Sequence, residues 1–114
     1  MRAWWKGVTM CYTVEEIRRL AAAAAEDYNV SAPEDARIRT VTLFGSYADG
    51  RQDDDSDVDL LVGFSAPVVS FFTLARALEA MESAFSVPVD LVQDPLPKDA
   101  LLTVGEKVPL YEAA

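Results

Sequence analysis

Apolar residues recur along this chain with two different periods, and the points where the period changes divide it into elements. From Thr13 onward, Ile17, Leu20, Ala21, Ala24 and Tyr28 fall at helical spacing, with Glu15, Arg18, Arg19 and Glu26 between them, which predicts a helix over 13–28. Thr13 and Glu16 have the T-x-x-E spacing of a capping box, which satisfies two amides at a helix start. The alanines at 21–25 favour helix and permit close packing. Residues 29–35, with Pro33, read as loop. IRTVTLF at 38–44 is rich in β-branched residues and reads as a strand stopped by Gly45. DVDLLVGF at 57–64 reads as a second strand, and 65–67 as a turn. Phe71, Leu74, Leu78, Met81 and Phe85 then mark the apolar stripe of a helix over 69–85. VPVDLV at 87–92 reads as a third strand. Pro95 and Pro97 interrupt the chain before a short helix predicted at 98–106, and residues 108–111 suit an edge strand.

Helix and strand signals alternate, so the expected class is α/β (α+β) in a single domain. The chain has 114 residues, half of them apolar and a quarter charged, which suits one hydrophobic core. Residues 1–12 precede the organised pattern and read as an extension, with Met10 an alternative start. They lack the long apolar core of a signal peptide, and no apolar run approaches the ~20 residues of a membrane span. One cysteine, Cys11, cannot form an internal disulfide, which suits a reducing cytoplasm.

Charge and histidine count narrow the chemistry. A net charge of -9 repels bare nucleic acid and anionic membrane and suits a cationic partner or a divalent metal. With no histidine, Ser-His-Asp and Cys-His catalysis are excluded, as are the usual zinc sites. Chemistry must then run on carboxylates, hydroxyls, Lys/Arg or an oxygen-bound metal.

Three features meet that requirement. The strand ending in Gly45-Ser46 can bring backbone amides and a hydroxyl close to a phosphate, although such a pair also makes an ordinary turn. The stretch 45–56, with two glycines and four aspartates, reads as loop with a helical turn after Ser46. Asp57 and Asp59 open a strand on one face, with Val58, Leu60 and Val62 on the core side. Two carboxylates ~4 Å apart repel by about 4 kcal/mol at an effective dielectric of 20, so one is protonated or a cation sits between them. Asp90 stands in an apolar strand, where it completes a three-carboxylate site or reaches water at a strand end. An EF-hand is excluded: Asp55, Asp57 and Asp59 fit positions 1, 3 and 5, but Leu60 replaces the turn glycine and Ala66 the bidentate glutamate.

Gly45-Ser46, ten residues, then Asp57-x-Asp59 matches the G-S-x10-D-x-D signature of the polymerase-β-like nucleotidyltransferases. The text LFGSYADG…SDVDLLV, with VDLV and VPLYE after it, resembles the minimal nucleotidyltransferase (MNT) branch across about residues 13–112. The resemblance implies a mixed sheet flanked by helices, with residues 13–114 as the nucleotidyltransferase domain. It implies that Gly45 and Ser46 hold nucleotide phosphates, that Asp57, Asp59 and Asp90 are catalytic and bind Mg²⁺ in a two-metal site, and that ATP is the donor. The usual A-R-G is A-D-G here, Asp49 replacing the basic residue, and Arg51 is the substitute that remains nearby. Stand-alone MNT proteins resemble the antitoxin half of HEPN–MNT pairs. The implied reaction is transfer of AMP to tyrosine of a cognate HEPN ribonuclease toxin in the cytoplasm, with no direct nucleic-acid contact. The alternatives are a contact antitoxin without catalysis and a small-molecule nucleotidyltransferase acting on an antibiotic.

Overall fold

The computed structural model describes residues 12–50, 57–94 and 107–113. The first helix, α1, spans Val14–Ser31 and starts as expected: Thr13 Oγ1 accepts the Glu16 N–H at 3.1 Å, and Glu16 Oε1 accepts the Thr13 N–H at 2.8 Å. It runs three residues beyond the predicted end at 28. The added turn is held by the strand that follows. Asn29 accepts the Ile38 N–H at 2.7 Å and donates to its carbonyl at 2.9 Å, while the Tyr28 hydroxyl donates to the Ala36 carbonyl at 2.9 Å. Pro33 then leads into a 3-10 turn, Glu34–Ala36, which begins in the predicted loop and ends one residue past it.

Strand β1 (Ile38–Phe44) and strand β2 (Val58–Phe64) pair antiparallel, joined through the short helix α2 (Ser46–Asp49). Helix α3 (Phe71–Ala84) is capped by Ser70, whose Oγ accepts the Thr73 N–H at 3.2 Å. It carries the chain over to strand β3 (Val89–Asp94), parallel to β2, as parallel neighbours require a crossover. Strand β4 (Val108–Glu112) pairs antiparallel with β1, giving the order β3-β2-β1-β4. The mixed sheet flanked by helices therefore stands as expected.

One face of the sheet packs on α1 and α3. Ile17, Ala21, Val41, Leu43, Val58, Leu60, Val62 and Met81 form the centre of this core. Two expectations need correction. The third strand begins at Val89 rather than residue 87: Pro88 has no N–H to donate and instead accepts the Val58 N–H at 3.0 Å. Phe71 was expected on the buried stripe of α3 but is 80% exposed, because the core reaches this helix only from Leu74 onward. The predicted helix at 98–106 and residues 1–11 lie outside the described residues. No helix among those described is long and apolar enough to cross a membrane.

Candidate active site

The carboxylates gather where β2 begins. Asp59 is the cross-strand partner of Phe44 on one side and of Asp90 on the other, so Asp59 and Asp90 project from the same face of adjacent parallel strands. Asp57 stands two residues earlier, one position before the strand, and both Asp57 and Asp90 are exposed. The predicted trio thus shares one end of one face. Among the described residues, however, no three acidic side chains are close enough together to hold a metal ion.

Gly45 is positioned by β1 and bends the chain with φ +79°, in the region that favours glycine. A Cβ there would lie 2.9 Å from the Asp59 carboxyl carbon and closer still to its Oδ2. The sequence pattern suggested that glycine makes room for a ligand. The structure gives a nearer reason: the Asp59 carboxylate itself lies against the Gly45 backbone. Ser46 opens α2 directly afterwards, at a helix start, where backbone N–H groups have no intrahelical acceptor. Asp49 closes the same helical turn, its N–H donating to the Gly45 carbonyl at 3.0 Å. Arg51 lies outside the described residues.

Electrostatics single out Asp59. Its carboxyl is pushed up to about 6, first by burial, then by the negative charge of Asp90, and then by that of Asp57. A group so placed is stabilised in its charged form by any cation brought between the carboxylates. Two carboxylates, Asp57 and Asp90, flank the partly buried Asp59, and such hard oxygen donors are the type that a divalent ion such as Mg²⁺ takes. They form an open arrangement rather than a closed cage.

Strand alternation also places Leu61 on the Asp59 face, and it is 1% exposed. Phe44, on that face too, is buried. The face opposite the core is therefore open to solvent on β2 only where that strand begins. Sequence reasoning passed over Thr40 and Gly63, which pair across β1 and β2 on this face; a Cβ at Gly63 would lie 2.5 Å from Thr40 Oγ1. The signal was there, since a glycine inside an apolar strand marks close approach by a neighbour. Two cavities of about 530 Å³ lie elsewhere, one lined by Asn29, Arg37, Arg39 and Tyr111, the other by Tyr28, Pro33 and Phe72.

Comparison with known proteins follows the same lines. The model of a family described as nucleotidyltransferase domain matches residues 26–109. Protein adenylyltransferase MntA of Thermococcus cleftensis is 34% identical over 80 residues, covering 70% of this chain and 76% of that protein. A Methanocaldococcus jannaschii relative is 35% identical over 57 residues, 49% of this chain, and the match spans 57% of that relative's length. A chain of a toxin–antitoxin crystal structure with AMP-PNP superposes with a TM-score of 0.61 at 23% identity, covering 86% of this chain and 73% of that one. A chain from a complex of a tri-AMPylated Shewanella oneidensis HEPN toxin with MNT antitoxin superposes at 0.54 with 19% identity, covering 84% and 73%. At these identities the two structures speak for the fold.

Proposed function

Because the chain belongs to the nucleotidyltransferase domain family, we propose that it transfers AMP from ATP to a hydroxyl of a partner protein. The acceptor is a tyrosine of a HEPN-type toxin, which the transfer silences, so the chain acts as an antitoxin. Support comes from the MntA relative, named a protein adenylyltransferase, and from a shared fold with chains of toxin–antitoxin complexes. The observation that carries the reading is the register of Asp59 with Asp90, with the Asp59 carboxylate packed on Gly45. The transferase domain is residues 13–114, with 1–12 an extension, and ATP supply places the reaction in the cytoplasm.

In this reading Gly45 and Ser46 hold the triphosphate, joined by Arg51. Asp57, Asp59 and Asp90 would hold Mg²⁺, which would supply neutralisation of phosphate charge and Lewis-acid activation when bound. The acceptor hydroxyl attacks that phosphorus in line, the bond to the β-phosphate oxygen breaks, and pyrophosphate leaves. Asp90, at the exposed edge of the trio, takes the hydroxyl proton. Positioning and fixed charge supply most of the rate.

The open spacing of the three acids favours one rival, a contact antitoxin without catalysis. Incubation of the chain with α-labelled ATP, Mg²⁺ and its HEPN-type partner separates the two. A label on the partner that requires Mg²⁺, Asp57 and Asp59 is expected. No label on a partner that is still bound and inhibited would leave only contact.

A further inference from the structure

The end of the sheet away from the carboxylates is finished differently. Four large apolar side chains stand in solvent there, among them Phe71 at 80% and Phe72 at 78% exposure. Val68 belongs to the β2–α3 turn, Phe71 and Phe72 open α3, and Val30 lies in the last turn of α1. The mount is firm. Ser65 and Ala66 donate their N–H groups to the carbonyls of Arg37 and Asp35, at 2.9 and 3.1 Å. Gln93 Nε2 donates to the Pro67 carbonyl at 3.2 Å, and Ser70 caps the helix. Beside the phenylalanines, a cavity of about 530 Å³ opens between α1 and α3, walled by Ala32, Pro33, Phe72 and Thr73, with Arg76 and Glu79 also lining it. Projecting aromatics next to a socket of mixed lining, in which Ser31, Ser70, Arg76 and Glu79 stand beside Ala32, Pro33 and Phe72, held on capped and hydrogen-bonded backbone, are the form an interaction surface takes.

We propose that this end is the docking surface for the protein that receives the nucleotide, a cationic partner that inserts an apolar side chain into the α1–α3 socket. This rests on the reading above. Charge decides the occupant. The chain carries -9, so a second copy is repelled while a basic partner is drawn in. Locally, Glu26, Glu34, Asp35 and Glu79 outnumber the arginines that line the surrounding clefts. Two phenylalanines present roughly 300 Å² of ring surface, well short of the ~800 Å² per partner of a stable interface, so contacts around them must complete it. The seven residues of β2 place docking and transfer about 23 Å apart. A partner of ordinary domain size, about 30 Å, spans both. Holding the partner and modifying it are then separable properties of opposite ends of one strand.

The test is calorimetric titration of the HEPN-type partner into the wild type, Phe71→Asp/Phe72→Asp, Val68→Ser and Asp57→Asn/Asp59→Asn, with labelling assays alongside. We expect at least about tenfold weaker binding for the phenylalanine pair and a smaller loss for Val68→Ser, with wild-type thermal melting. The carboxylate variant binds like the wild type, and added salt weakens all of them. Val68 is exposed and outside the core, so its variant keeps the test valid if the double variant misfolds. Wild-type affinity in both surface variants, with the partner still labelled, would overturn the docking surface and leave the transfer reading standing. Loss of binding in those variants when even the wild type transfers no label would uphold the surface and sink the transfer reading. A concentration-dependent dimer of the chain alone, abolished by Phe71→Asp/Phe72→Asp, would overturn the proposal in favour of a second copy.

Discussion

Strand β2 begins in carboxylates and ends beside exposed phenylalanines, and its two ends violate opposite rules of folding. At the start, Asp59 is held partly buried between like charges, so that its carboxyl rises to about 6. At the finish, the chain leaves Val68, Phe71 and Phe72 in water. Between them, Leu60, Leu61 and Val62 are at most 1% exposed and obey every rule of a core strand. The middle supplies stability, and that stability is what lets both ends hold arrangements that cost free energy by themselves.

The contrast can be broken most severely at the carboxylate end. Asp57→Asn/Asp59→Asn is expected to lower AMP transfer by at least about 10³-fold, read by label incorporation, without lowering the melting temperature. The middle should respond in the reverse way. Met81, fully buried on α3, should cost about 2–5 kcal/mol on change to alanine, measured by urea unfolding. Transfer by the fraction still folded should be near normal.

A glycine comparison sharpens where the cost of the site resides. Gly45 and Gly50 both have positive φ, at 79° and 75°, but only Gly45 has a carboxylate where its Cβ would be. Gly50→Ala should therefore cost about 1 kcal/mol of backbone strain. Gly45→Ala should cost roughly 2–3 kcal/mol, because the Asp59 side chain must also move, and it should lose activity where Gly50→Ala retains it.

The smallest effect is the pH dependence. Asp59 binds its proton more tightly in the folded chain, at about 6, than its ordinary value of 3.8. The contribution of Asp59 to metal-free stability is then fully present below about pH 4, is lost as pH rises through 6, and is level above it. The group is only partly buried, so solvent screening reduces the change to about 1 kcal/mol. Asp59→Asn should flatten this slope in melts from pH 4 to 7. A slope equal in the wild type and Asp59→Asn would contradict the placement of Asp59 among like charges.

Much of this molecule is written in local pattern. The capping box at Thr13 and Glu16, the span of β1 and the apolar side of β2 follow from hydrogen-bonding groups and periodicities a few residues long, and each is present where it was read. The spacing from Gly45-Ser46 to Asp57 and Asp59 carried the family in the same way. Tertiary structure decided what depends on residues far apart in the chain. It set β3 two positions later than its apolar run suggests, and so brought Asp90 beside Asp59 across 31 positions of sequence, because strand register is a property of the pair. It extended α1 to Asn29 and beyond because that side chain has Ile38 to bond. It left Phe71 in water although its spacing matches a buried stripe, because periodicity marks a face of the helix and not how far the core extends beneath it. Local pattern determined the elements and the chemistry they carry; packing at a distance decided which of those groups meet and which face the solvent.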